Sequence, residues 1–212
     1  MTVSIKICGL NDHDSIESAI KSGADFTGFV HYQKSPRHLS LSSAAQFRRL
    51  LPDKVKSVIV LVNPFDDLLL EIEHEIAPDF FQLHGDETAE RTAYIRKKFP
   101  SIGIIKAVAV ESSDDIKKAK EYYDIADFIL FDAKPEKNMI HGGNGVSFDW
   151  SLITGNEMPE KWFLSGGLNG QNIGSAILQT GAKFIDVSSG VEVARGVKSP
   201  NLIENFIKAA RK

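Results

Sequence analysis

Gly181-Ala182-Lys183-Phe184-Ile185-Asp186-Val187-Ser188 reads as a tight turn feeding a short strand whose two faces differ in chemistry. Alternate residues of a strand point to opposite sides. Ile185 and Val187 therefore share one apolar face, and Asp186 and Ser188 share the other. The entry to this strand recurs three times, as Gly23-Ala24-Asp25-Phe26, Ala77-Pro78-Asp79-Phe80 and Ile125-Ala126-Asp127-Phe128. The intervals between the phenylalanines are 54, 48 and 56 residues. Each interval holds two strand–helix units, a modular period. The same pattern also suits any ordinary helix-to-strand connection.

Eight apolar runs rich in β-branched and aromatic residues fill out the pattern: Val3–Cys8, Phe26–Val30, Val55–Val62, Phe80–His84, Gly103–Val108, Phe128–Asp132, Trp162–Ser165 and Phe184–Ser188. Amphipathic stretches between them predict helices, including Asp12–Ser22, Ser42–Leu51, Asp86–Phe99, Ser113–Tyr123, Asn169–Thr180 and Pro200–Arg211. Strands that alternate with helices predict parallel βαβ units. A count of eight predicts an α/β fold of the closed (β/α)8, or TIM-barrel, class, at the short end of its usual length. With 212 residues and no proline-rich linker or charge block, the chain is expected to form a single domain over 1–212.

Composition excludes little and is ordinary for a soluble globular protein: 42% hydrophobic and 25% charged. A net charge of −3 gives no general attraction to nucleic acid or anionic lipid. The longest clean apolar run, Val58 to Val62, is too short for a membrane helix. The first ten residues lack signal-peptide character, and the single cysteine forms no internal disulfide. A cytoplasmic location is the expectation. Oligomeric state is not fixed by the sequence.

Parity then sorts each strand. Val3, Ile5 and Ile7 should face the helices, and Ser4, Lys6 and Cys8 the barrel interior. Phe81 and Leu83 point out; Phe80, Gln82 and His84 point in. Ile129 and Phe131 point out; Phe128, Leu130 and Asp132 point in. The inward polar residues gather at the strands' carboxyl ends, where barrel active sites are built, and an interior polar group must be paired or used.

Cys8 ends the first strand in Lys6-Ile7-Cys8-Gly9, and Lys6 two residues earlier could favour a reactive thiolate. A lone cysteine also serves as a small buried hydrophobe. Asp132 ends the sixth strand and could cap the next turn or act as a general acid. Three glycine turns follow the late strands: Gly142-Gly143-Asn144-Gly145, Gly166-Gly167-Leu168 and Ser188-Ser189-Gly190. Such turns let backbone N–H groups cradle a phosphate, although each can be only a turn. Arg37, in Ser35-Pro36-Arg37, can grip a carboxylate or stack on an aromatic ring, or else be an exposed cation.

These motifs, with Gln82-Leu83-His84-Gly85-Asp86, Phe148-Asp149-Trp150, Ser165-Gly166-Gly167-Leu168, Asp186 to Glu192 and Gly196-Val197-Lys198, resemble phosphoribosylanthranilate isomerase over nearly the whole chain. The resemblance implies a reaction without metal or cofactor: opening of a ribose ring and an Amadori rearrangement of a phosphoribosylated small molecule. Asp132 would be the general acid and Cys8 the base. Arg37 would hold the anthranilate. Gly143, Asn144, Gly145, Gly166, Gly167, Ser188, Ser189 and Gly190 would hold the phosphate, and Gln82, His84 and Asp186 would also contact substrate. Asn144 and Ser165 depart from the residues common in the family, a threonine or serine and an alanine. A rival isomerase of histidine biosynthesis carries an aspartate where Cys8 stands. A metal-dependent sugar-phosphate epimerase could use His31, His84 and Asp132 as ligands, but their spacing fits no ligand motif. A catalytically silent phosphosugar binder would have no need of both Cys8 and Asp132.

Overall fold

The computed structural model describes residues 3–133 and 149–212. Its strands are β1 (Ser4–Cys8), β2 (Phe26–Val30), β3 (Lys56–Leu61), β4 (Phe80–Leu83), β5 (Gly103–Val110), β6 (Phe128–Ala133), β7 (Trp162–Leu164) and β8 (Phe184–Val187). They pair in parallel in sequence order, and β8 returns to β1, so the sheet closes into a barrel. The expected (β/α)8 fold is present.

The surrounding helices are α1 (His13–Ser22), α2 (Leu41–Arg48), α3 (Asp66–Glu75), α4 (Ala89–Lys98), α5 (Ser113–Lys118), α6 (Ser151–Thr154), α7 (Ile173–Thr180) and α8 (Pro200–Ala210). Their starts are set by side-chain caps. Asp12 accepts from the Ser15 N–H, Thr88 from Arg91 and Ser199 from Leu202, each satisfying a backbone donor that the first turn leaves open. Three helices differ from expectation for local reasons. α4 begins at Ala89, not Asp86, because Thr88 is its cap. The Glu87 carboxylate is turned inward to accept from Asn63 and Gly85 N–H groups and from Lys106. α5 tightens after Lys118 into a 3-10 turn over Ala119–Tyr122. α7 begins at Ile173 because Asn169 and Asn172 bond each other's backbone in a turn.

Parity holds on every strand for which it was worked out. Ile5, Ile7, Phe81, Leu83, Ile129, Phe131, Ile185 and Val187 are buried in the main core between sheet and helices. The four recurrent phenylalanines have a physical role. Phe26, Phe80, Phe128 and Phe184 all point inward from the even strands and line the end of the barrel where strands begin. Phe128 lies 6.0, 5.7 and 5.0 Å from Phe26, Phe80 and Phe184, ring centre to ring centre. Phe163 of β7 sits on them, 5.3 Å from Phe26 and 5.4 Å from Phe184. Such tilted pairs each contribute about 0.5–1.5 kcal/mol beyond area burial. The repeat is thus one layer of barrel filling, and it plugs the end opposite the mouth.

Past β8 the chain adds a 3-10 turn (Ser189–Val191) and a small antiparallel pair, β9 (Glu192–Ala194) with β10 (Val197–Lys198). No helix among the described residues is long and apolar enough to cross a membrane.

Candidate active site at the strands' carboxyl ends

Lys6 is wholly buried, and its ammonium donates to Asp186 Oδ1 at 2.8 Å. Asp186 Oδ2 accepts from the Ser165 hydroxyl at 3.1 Å. The serine that departs from the family's common alanine therefore supplies a hydrogen bond to a buried carboxylate. Burial alone would pull the Lys6 ammonium below its ordinary range, but Asp186 and Cys8 outweigh it and hold it above.

Cys8 is buried, 7% exposed, beside Val30 and Val60. Room for it comes from Gly28 on the neighbouring strand. A Cβ at that glycine would stand 2.9 Å from Cys8 Sγ and 3.1 Å from Lys6 Nζ. Any larger residue would push apart two side-chain tips that share this space. Lys6 favours the thiolate, as expected, but it is outweighed. Burial, the larger effect, pushes the thiol above its usual range, although Lys6 pulls it down. The resting group is a thiol.

Asp132 is also nearly buried. Its Oδ1 accepts the Ala133 N–H at 3.0 Å, and its Oδ2 faces His84 Nε2 at 3.5 Å. His84 follows β4, where its own N–H bonds Leu61 O. Beneath it, Gln82 is fully buried with its amide nitrogen 2.8 Å from His84 Nδ1. β6 lies three steps from β1 around the ring, so Asp132 and Cys8 occupy well-separated strand ends of one mouth.

Arg37 is not the exposed cation that composition permits. It is 5% exposed and grips Glu192 with two parallel bonds, Nε to Oε1 at 2.6 Å and Nη2 to Oε2 at 2.8 Å. Its chain crosses directly over Gly9, where a Cβ would come within 2.5 Å of Arg37 Cδ. Gly9 has φ +76°, so both conformation and closeness call for glycine. Glu192 also accepts from Lys198 at 2.7 Å and from the Gly196 N–H. Burial works against its charge, but Arg37 and Lys198 outweigh it and keep Glu192 below the usual carboxylate range. Lys198 is pulled below its ordinary value, mainly by burial. It also donates to Ser188 O and Oγ at 2.9 and 3.2 Å.

The β9–β10 hairpin thus ties the Arg37 loop to the end of β8. Glu192 and Lys198 had been noted only as parts of motifs. Their roles were missed because Arg37 and Glu192 stand 155 residues apart in sequence.

The glycine turns after β7 and β8 pack closely. Gly166 and Gly167 both have positive φ, and a Cβ at Gly166 would lie 2.7 Å from the Ala133 nitrogen. At Gly190 it would lie 1.8 Å from Leu168 O. Ser188, Ser189 and Gly190 therefore adjoin the turn that follows β7. Gly143, Asn144 and Gly145 lie outside the described residues, as does most of the expected 133–146 loop. His31 bonds Leu39 O and packs on His38, and no group of three or more His, Cys, Asp or Glu among the described residues could hold a metal ion.

Residues 5–209 match the family described as N-(5'phosphoribosyl)anthranilate (PRA) isomerase. The chain is 45% identical, over the full length of both, to N-(5'-phosphoribosyl)anthranilate isomerase of Parvibaculum lavamentivorans. Among solved structures, phosphoribosyl anthranilate isomerase of Thermotoga maritima is similar with TM-score 0.89 and 38% identity, covering 99% of this chain and 98% of that one. A second, at TM-score 0.86 and 36% identity with the same coverage, is phosphoribosyl anthranilate isomerase in complex with reduced 1-(o-carboxyphenylamino)-1-deoxyribulose 5-phosphate.

Proposed function

Because the chain belongs to the N-(5'-phosphoribosyl)anthranilate isomerase family, we propose that its barrel mouth performs the family's rearrangement with Asp132 as acid and Cys8 as base. The protein is an isomerase of tryptophan biosynthesis. It converts N-(5-phosphoribosyl)anthranilate to 1-(2-carboxyphenylamino)-1-deoxyribulose 5-phosphate.

Asp132 gives a proton to the ribose ring oxygen, the C1–O bond breaks, and the nitrogen lone pair forms a protonated Schiff base. Cys8 then takes the C2 proton, the electrons pass toward nitrogen, and the enolamine tautomerises to the ketone. A buried thiol suits this order. The cationic Schiff base arrives beside Cys8 only after ring opening, and a nearby positive charge favours the thiolate. The basic form is thereby made available at the step that needs it.

Backbone N–H groups of Gly166-Gly167 and Ser188–Gly190, joined by Gly143–Gly145, hold the phosphate. Arg37, held rigid by Glu192, holds the anthranilate end. His84 and Asp186 line the mouth. All of this takes place on one barrel domain in the cytoplasm, with the phosphoribosylated small molecule as partner.

The observation that carries the assignment of roles is the pair of nearly buried groups, Cys8 and Asp132, at separate strand ends of one mouth. Purified protein mixed with phosphoribosylanthranilate should abolish the substrate's fluorescence catalytically, with or without a metal chelator. No turnover would overturn the activity. Turnover lost in chelator and restored by zinc would overturn the metal-free mechanism.

A further inference from the structure

We propose that Gln82 and His84 are positioning residues for the acid: Gln82 holds the proton of His84 on Nε2, and that N–H aims at Asp132 Oδ2. The inference rests on the reading of Asp132 as the general acid.

The Gln82 amide nitrogen has only hydrogens to offer, and it lies 2.8 Å from His84 Nδ1. Nδ1 must therefore accept, which places the proton of the neutral ring on Nε2. The reverse orientation would put Oε1 on Nδ1 and strand the amide's N–H groups where Oε1 now sits buried without a hydrogen-bond partner. A stranded carbonyl oxygen costs less than stranded N–H groups.

The consequence falls on Asp132. Its Oδ1 is occupied by the Ala133 N–H, so the proton it donates resides on Oδ2, the oxygen that His84 faces. A neutral N–H there steadies the carboxylate left after donation. An imidazolium would instead hold Asp132 ionised before the reaction and leave no proton to give.

Other charged groups line the cavity of about 330 Å³ that His84 and Asp132 share. Lys106 and Glu87 neutralise each other at 2.8 Å. Asp86, Asp115, Lys118 and Glu121 also line it, three carboxylates to one ammonium. Tyr122, whose hydroxyl donates to Glu87 O, is pushed up to about 12, mainly by burial, and stays neutral.

The test starts with wild-type protein labelled with 15N-histidine, His84 being assigned by the signals lost in His84→Leu. Near neutral pH, Nε2 should show the protonated and Nδ1 the unprotonated signature. A proton on Nδ1 overturns the inference. Gln82→Glu, whose carboxylate draws a second proton onto the ring at Nδ1 and so makes it an imidazolium, should move the high-pH limb of the turnover profile, where Asp132 loses its proton, down by about 1–3 pH units. KM should change far less. His84→Leu should move the same limb upward. Gln82→Met, which adds no buried charge, should shift it in the same direction as Gln82→Glu but less, and it carries the test if Gln82→Glu does not fold. Unmoved limbs in these variants, with Asp132→Asn inactive, overturn the positioning role alone. Full turnover in Asp132→Asn overturns the acid assignment itself.

Discussion

Lys6→Met removes one partner of a buried ion pair and leaves its volume nearly unchanged. Lys6 is 0% and Asp186 5% exposed at the side chain, and the lost bond is 2.8 Å. Asp186 would keep only the Ser165 hydroxyl. Stranding a buried charge in this way costs about 3–5 kcal/mol. Asp186 can escape by taking up a proton, and that sets a ceiling. Protonating a carboxylate of ordinary pKa ~3.9 at pH 7 costs about 1.36 kcal/mol for each of ~3.1 units, or roughly 4 kcal/mol. The expected loss at pH 7 is therefore about 3–4 kcal/mol, which lowers the melting temperature by about 6–16 °C in a chain of this size.

The same argument fixes the pH dependence. In the variant the folded carboxyl has a raised pKa, so the penalty is full at neutral pH and shrinks by about 1.4 kcal/mol for each unit as pH falls toward 4. Urea unfolding followed by circular dichroism at pH 7 and pH 5 measures both. The double variant Lys6→Met/Asp186→Asn should recover much of the stability at pH 7. A loss below about 1 kcal/mol, or one equal at the two pH values, would refute the claim that Lys6 neutralises a buried anion.

Cys8→Ala and Asp132→Asn should each reduce turnover by about two to four orders of magnitude, with much smaller changes in product-analogue affinity measured by calorimetry. Alkylation of Cys8 should be slow at neutral pH and accelerate above the ordinary thiol range, as its raised pKa requires; rapid labelling at pH 7 would contradict the buried-thiol account. Arg37→Ala should raise KM more than it lowers kcat, and should also destabilise the fold because Glu192 keeps only Lys198 as counter-ion. Tyr122 is protonated more tightly when folded, so its contribution to stability is complete below pH ~10 and lost as pH rises toward about 12. Chemical denaturation of Tyr122→Phe across that window should show a flatter decline than wild type.

The barrel was legible because its two periodicities are local. A strand needs five residues to declare an apolar and a polar face, and the phenylalanines of the barrel floor recur at the start of the even strands. Cys8 and Asp132 were visible for the same reason, being inward residues at strand ends. What stayed hidden depends on contacts between distant segments. Arg37 could be recognised as a candidate grip, but not that Glu192 already holds it. The β9–β10 hairpin buries no apolar face that a pattern could announce, since Val193 and Val197 are 68% and 53% exposed. Gly28 carries no chemistry and is informative only once Cys8 and Lys6 are seen to fill the space beside it. That burial outweighs Lys6 at Cys8 could not be read, because Lys6 is two residues away in sequence, whereas the extent of burial is a property of the closed barrel.

The seam between β1 and β8 puts the first and last strands of the barrel side by side. Lys6 and Asp186 are separated by 180 residues, and so are Cys8 and Ser188. At about 5–20 residues per second, a ribosome needs roughly 9–36 s between making the two sides of this seam. Throughout that interval the nascent chain carries the cysteine but lacks the strand that completes its surroundings, and the ammonium of Lys6 has no internal counter-ion. A chain released early is left with an open edge on β1 and an unpaired cation on that same edge strand. Strand closure and completion of the mouth are therefore a single late event, and incomplete chains are left both inactive and poorly folded, exposed to proteolysis.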